Sequence, residues 1–274
     1  MNFNNPKKNL ELSLNDKIEL AKTIIKSAIQ RFPQNQLYLA WTGGKDSTTM
    51  LWLYREVTRE LKIEMPESIF IDEGDTFDEI STHVDQIRNK WNIRIEIVKN
   101  TDVSDKANTI GAHINVSDLN KRNQMEIKKI GFSEKHFPFD PESYVGNHLM
   151  KTVPMNIFIE THNVSALSTA IRWDEQDARK EEDYFSPRKS PDHMRIHPIL
   201  HFKERDIWDL THKNNIPFCS LYYRGYRSLG TKGSTHTVSD LPAWEQDLEN
   251  SPERLGRNQG KEEIMGQLRA LGYM

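Results

Sequence analysis

A single cysteine, Cys219, stands among the 274 residues of the chain. One thiol cannot close an intramolecular disulfide or supply a thiolate metal cage, so disulfide scaffolds and cysteine-rich metal folds are excluded, and a reducing cytoplasm is the expected location. An excess of one charge is also missing: 37 Lys and Arg stand against 40 Asp and Glu, a formal net charge of −3. No global basic field is available for sequence-independent nucleic-acid binding. Eighteen apolar residues never follow one another, and the opening "MNFNNPKKNLELSLNDK" has no apolar signal-peptide core, so neither a membrane span nor a secretion signal is expected. There is no internal repeat, and the length suffices for one full-sized core.

What is present is an alternation of short apolar runs and helical periodicities. "LSLNDKIELAKTIIKSAIQRF" places Ile18, Leu20, Ala21, Ile24, Ile25, Ala28 and Ile29 at helical spacing, with Asn15 as the expected N-cap. "QLYLAW" reads as a strand, "STTMLWLYREVTREL" as a helix, "ESIFID" as a buried strand, "TFDEISTHVDQIRNKWN" as a helix and "IRIEIVKN" as an alternating strand. This βαβαβ order predicts an α/β fold: a doubly wound, mostly parallel sheet with helices on both faces. The pattern weakens over residues 101–145, which read as an insertion with one helix near 117–130. A helix over "HLMKTVPMNIFIETH", a strand in "NVSALSTAI", a strand or extended segment in "MRIHPILHF" and a helix over "KERDIWDLTHKNN" follow. The expected organisation is one domain over 1–235 and an irregular tail over 236–274, closing with helix "GKEEIMGQLRALGYM".

The turn between the first strand and its helix carries the chemistry. In "LYLAWTGGKDSTTMLWLY" two adjacent glycines let backbone N–H groups converge on an anion, and the helix N-terminus adds a favourable dipole. Phosphate is the natural guest. A Walker A loop is excluded, because Leu39 and Asp46 stand where its first Gly and its Ser or Thr belong. The dinucleotide pattern G-x-G-x-x-G fails as well, since Gly43 and Gly44 are adjacent and no third glycine follows.

"TGGKDS" resembles the SGGKDS pyrophosphate loop of the adenine-nucleotide α-hydrolase-like (PP-loop) superfamily, with Thr42 in place of the usual Ser. The resemblance implies that Thr42, Gly43, Gly44, Lys45, Asp46 and Ser47 cradle nucleotide phosphates, with Trp41 at the strand end where adenine-binding backbone is expected. "FIDEGDTFDEI" resembles the family's second-strand motif and puts Asp72 near the nucleotide. "IRWDEQDARKEEDYFSPR" resembles the "G-x-R-x-D-E-x-x-x-R" signature of sulfate adenylyltransferase small subunits and, more loosely, of phosphoadenosine-phosphosulfate reductases. Arg172, Arg179 and Arg188 would then surround polyanionic phosphates, with Arg172 fixed by Asp174 or Glu175. If this segment is helical, Arg172 and Arg179 share nearly one helix face. "LYYRGYRSLG" matches the family's "L-Y-x-x-G-Y-x-S-[IL]-G", adding Gly225, Tyr226 and Ser228 to the expected nucleotide site.

Two subgroups of this superfamily need thiols that this sequence lacks. Iron–sulfur reductases carry Cys-Cys pairs where this chain has "VGNHLMKTVP" and "RSLGTKGSTHT", so no cluster is expected. Cluster-free reductases use a cysteine in an "E-C-G-[IL]-H" tail, whereas this chain reads "GKEEIMGQLRALGYM" there. Cys219 reads as a small apolar packing group. His193, His197 and His201 recur at four-residue spacing, but Pro198 breaks a metal-binding helix, and no protein metal site is expected. The resemblance therefore implies adenylyl transfer from ATP with Mg²⁺, with Lys45, Arg172 and Arg179 as catalytic residues and sulfate as the acceptor. A GTPase partner subunit or a homo-oligomer is the expected assembly. A reductase, a flavin adenylyltransferase and a non-catalytic nucleotide-binding partner are the alternatives.

Overall fold

A computed structural model describes residues 6–107 and 109–257. A short helix α1 (Pro6–Leu10) precedes α2 (Leu14–Arg31), and α2 buries Leu20, Ala21, Ile24, Ile25 and Ala28 on one face. Its cap is Ser13 rather than Asn15: the Ser13 hydroxyl accepts the Asp16 N–H, so the helix begins two residues earlier than the expected cap implies.

Strand β1 (Leu37–Ala40) leads through Gly43 and Gly44 into α3 (Lys45–Leu61), β2 (Glu67–Asp72), α4 (Asp78–Trp91) and β3 (Ile95–Lys99). Gly43 has φ +74°, and a Cβ there would lie 2.9 Å from Ile80 Cγ2 on α4, so both backbone conformation and helix packing demand glycine.

Residues 101–145 form a small unit: α5 (Thr101–Ser104), an antiparallel hairpin of β4 (His113–Asn115) and β5 (His136–Pro138), and α6 (Lys121–Lys129) between its strands. Val103, Ile114, Leu119, Ile127, Phe137 and Phe139 give it an apolar core shared with Leu149 and Met150. The expected single helix is thus α6, and 116–118 forms a 3₁₀ turn. Helix α7 (Tyr144–Asn147) runs through a π-helical turn, His148–Thr152, into α8 (Val153–His162). Pro154 falls in the first turn of α8, where its missing N–H costs little.

The remaining elements are β6 (Ala166–Ser168), β7 (Phe185–Lys189), β8 (Asp192–Ile196) and α9 (Glu204–Lys213). The main sheet has the order β3-β2-β1-β6-β8-β7, parallel throughout except for the antiparallel edge pair β7–β8. Segment 172–189, whose charge pattern allows a helix, instead forms a 3₁₀ turn at Asp177–Arg179 followed by the first strand of a hairpin. Pro187 is tolerated because β7 is an edge strand. Helices α2, α3, α4 and α9 cover one apolar side, where Ile24, Leu51, Ile80 and Trp208 share one core. A second cluster, with Tyr38, Ile69 and Leu167 from the strands and Met155, Phe158 and Ile159 from α8, forms another. The chain builds outward from β1 to β2 and β3, then returns to place β6 on the other side. This reversal opens a crevice at the carboxyl ends of β1 and β6, where doubly wound sheets bind ligands. The expected closing helix over 260–274 lies outside the described residues.

Candidate active site

The loop after β1 is held by its own side chains. Thr42 N–H donates to Ser47 Oγ at 3.2 Å, Ser47 Oγ donates to the Gly44 carbonyl at 3.0 Å, and Trp41 Nε1 donates to Thr48 Oγ1 at 3.1 Å. Lys45 N–H donates to the Tyr222 hydroxyl at 2.8 Å, which ties the start of α3 to the turn Ser220–Arg224. The positive end of a 17-residue helix therefore faces the crevice.

Two buried cations lie beside this loop. Lys45 Nζ donates to Glu253 Oε1 at 2.5 Å, to Asp46 Oδ2 at 3.1 Å and to the Arg227 carbonyl at 3.3 Å. Arg172 is wholly buried; its Nε donates to Asp174 Oδ1 at 2.9 Å, its Nη1 to Asp46 and its Nη2 to Glu253. Burial opposes the charge on both groups, but the surrounding carboxylates outweigh it and raise both pKa values well above normal. Burial likewise opposes ionisation of Glu253, yet Arg172 and Lys45 hold its carboxyl below the usual carboxylate range. Neighbouring Glu204 is pushed up to about 7 by burial and by the Glu253 charge, although Arg227 donates to it at 2.7 Å and 2.9 Å.

The crevice encloses a cavity of about 220 Å³. Trp41, Thr42, Gly44, Lys45, Asp46, Ser47, Arg179 and Ser228, all expected site residues, line it. Gly43 lies behind the loop against α4, and Arg172 backs it through Asp46 and Glu253. Arg179 pairs with Glu175 at 3.2 Å, and the same carboxylate receives Arg254 Nη1 at 3.0 Å.

Four expected residues are not brought there. Asp72 pairs with Lys99 at 2.9 Å and accepts the Gly74 N–H, capping its own turn. Arg188 is carried away by β7 and donates to both oxygens of Glu182 at 3.0 Å. The Gly225 carbonyl accepts from Gln246, and Tyr226 packs edge-on against Phe77 with ring centroids 5.5 Å apart. The three histidines make separate contacts: His193 with the Pro191 carbonyl, His197 with Thr169 and His201 with the Lys17 carbonyl. Among the described residues no group of three or more His, Cys, Asp or Glu could hold a metal ion. Cys219 is fully buried, with its thiol pKa raised by burial.

Sequence reasoning missed Glu253, Arg254, Arg257, Tyr222, Lys151 and Arg195, all of which line the cavity. "SPERLGR" carries an acidic and two basic residues in a Pro- and Gly-bounded segment, the only local hint of the first three.

A family model, the phosphoadenosine phosphosulfate reductase domain, matches residues 36–237. The chain belongs to this family. A probable FAD synthase of Schizosaccharomyces pombe is 24% identical over 90% of this chain and 81% of its own length. Another, from Caenorhabditis briggsae, is 23% identical over 80% of this chain, which spans only 34% of that longer protein. Sulfate adenylyltransferase subunit 2 of Rhizobium tropici is 23% identical over 42% of this chain and 46% of its own length. Among solved structures, FMN adenylyltransferase of Candida glabrata superposes with a TM-score of 0.64 at 17% identity, covering 93% of this chain and 94% of that one. That likeness confirms the α/β fold of the family member. No helix among the described residues is long and apolar enough to cross a membrane.

Proposed function

We propose that this member of the family transfers the adenylyl group of ATP to a small anionic acceptor and releases pyrophosphate. The observation that carries the reading is the carboxylate of Glu253, held by both Lys45 and Arg172 beside the Gly43–Gly44 loop. A buried anion bridging two fixed cations at a helix N-terminus occupies a place suited to phosphate oxygens. In turnover, phosphate oxygens replace that carboxylate. Negative charge then moves onto the departing pyrophosphate beside Lys45 and the N-terminus of α3, with Arg172 behind them, so little reorganisation is needed. The described carboxylates form no metal cage, and Mg²⁺ would be carried on the phosphates of ATP.

Sulfate is the preferred acceptor. It is already an anion and needs no general base, and "RWDEQDAR" resembles the sulfurylase signature at the residues that hold Arg172 and Arg179. A second reading, FMN as acceptor, is favoured by the similarity to probable FAD synthases. Reductive chemistry has little support, because the one thiol is fully buried and does not line the cavity. ATP–pyrophosphate exchange run in parallel with sulfate, with FMN and without acceptor tests the reading. Sulfate-dependent exchange is expected; FAD formation from FMN would establish the second reading, and absence of both would refute adenylyl transfer to these acceptors.

A further inference from the structure

Among the described residues three arginines are buried to 3% exposure or less: Arg172, Arg195 and Arg227. Arg172 donates to three carboxylates, and Arg227 donates through Nε and Nη2 to both oxygens of Glu204 as well as to backbone carbonyls. Arg195 differs. It projects from β8, donates through Nε to His193 Nε2 at 2.6 Å, and places Nη2 3.0 Å from Met155 Sδ. Its Nη1 meets no acceptor, and none of its hydrogen bonds goes to a carboxylate. A buried guanidinium left with an unused donor is costly unless something else supplies the acceptor.

Arg195 lines the same cavity as the phosphate loop. So does Thr152, which is 4% exposed and whose Oγ1 also has no partner. The same cavity is lined by the apolar side chains of Ala40, Ile69, Ile71 and Met155, the last in contact with Arg195. Two unsatisfied polar groups among aliphatic side chains suit a flat heterocycle, stacked on the apolar wall and hydrogen-bonded at its edge. A guanidinium only donates, so the edge it reads must present an acceptor: a ring nitrogen or a ring carbonyl. Met155 is unbranched, with rotatable bonds that let it yield to an entering ring.

We propose that Arg195, assisted by Thr152, is a specificity-determining residue that hydrogen-bonds the acceptor edge of the nucleotide base. The assignment rests on the nucleotide reading above and adds to it the part of the cavity that selects the base. Burial, reinforced by the nearby Arg188 charge, pushes the Arg195 pKa down to about 9, in keeping with a cation that has no carboxylate partner. Without the base, Nη1 stays unpaired; with it, the donor gains the acceptor that the protein omits.

The test separates base from phosphates by measuring affinity for ATP and for inorganic tripolyphosphate on the full chain. In Arg195→Met, ATP affinity should fall about ten- to hundredfold, as for loss of one charge-assisted hydrogen bond, with tripolyphosphate affinity unchanged. Arg195→Lys should recover part of the loss. Equal losses for both ligands, or no loss for ATP in a folded variant, would overturn the assignment. The unmodified protein supplies a check that does not depend on a variant folding: of 1-deaza-, 3-deaza- and 7-deaza-ATP, at least one should bind about tenfold or more weakly than ATP. If all three bind as ATP does, Arg195 reads no ring nitrogen and the assignment falls. If the unmodified protein binds neither ATP nor tripolyphosphate, the phosphate reading fails first and takes this one with it.

Discussion

At the loop end of the cavity, Lys45 and Arg172 are enclosed by Asp46, Asp174 and Glu253, so each buried positive charge meets a negative one supplied by the chain. At the β8 end, Arg195 is as deeply buried, yet it touches a neutral imidazole nitrogen and a thioether sulfur. Both ends took a cation out of water, but only the first offsets that cost within the protein. The contrast separates two designs. A neutralised centre exchanges one anion for another, whereas an unsatisfied donor waits for an acceptor that binding brings.

The sharpest way to break the comparison is to remove the loop-end cation. Arg172→Met strands Asp46, Asp174 and Glu253 without their common partner, and should cost about 3–5 kcal/mol of stability. Denaturant unfolding measures it, and a loss below about 1 kcal/mol would mean that the carboxylates relax into water and that the centre is not a closed ion network.

Acid separates the two ends further. Burial lowers the pKa values of His193, His197 and His201 from 6.5 to about 4, with the Arg195 charge adding to the effect on His193. Folded-state values below the unfolded value mean that the neutral form is favoured in the fold. The associated stability is complete above pH 6.5 and is lost as pH falls from 6.5 towards 4, by about 2–3 kcal/mol for each of the fully buried His197 and His201. Glu253, held low by Arg172 and Lys45, stays ionised across that window. The melting temperature should therefore drop between pH 6.5 and 4, and His201→Gln should flatten the drop. A variant curve parallel to that of the unmodified protein would rule out His201 as a cause.

Lys45→Ala removes one charge-assisted contact and should weaken ATP binding or turnover by about 1.5–3 kcal/mol. Unchanged ATP affinity and turnover in a folded variant would remove Lys45 from the site. The smallest effect is expected at Arg188, which β7 carries out of the cavity into a pair with Glu182. Arg188→Ala should leave ATP affinity within about twofold, since its partner is the Glu182 carboxylate rather than the ligand. A tenfold loss would show that the edge strand reaches the nucleotide after all.

These placements show which parts of the site were legible before folding was considered. The strand–turn–helix geometry of the Gly43–Gly44 loop was, because strand end, glycine pair and helix start are consecutive residues whose geometry is local. A local partner for Arg172 was legible for the same reason, and of the two candidates, Asp174 and Glu175, Arg172 donates to Asp174. Arg188 was not: its distance from Arg172 suited a helix, but the segment turns at Asp177–Arg179 and then runs out along an edge strand. Arg195 sits in a strand where an alternating pattern says only that one face is buried, not that one guanidinium lacks a carboxylate.

Local order along the chain determined the α/β alternation, the turn that Gly43 alone can make, and the run of loop residues from Thr42 to Ser47, because these depend on dihedral preference and periodicity over a few residues. Tertiary structure alone decided which charges distant in sequence meet. Lys45 and Glu253 are 208 positions apart, and Arg172 and Glu253 are 81 apart. Their contact at the crevice follows from the reversal of strand order between β1 and β6 and from the path of the segment that carries Glu253. Coulomb interactions act through space and burial removes the water that would screen them, so their partners are set by how the backbone packs, and no window of sequence contains that information.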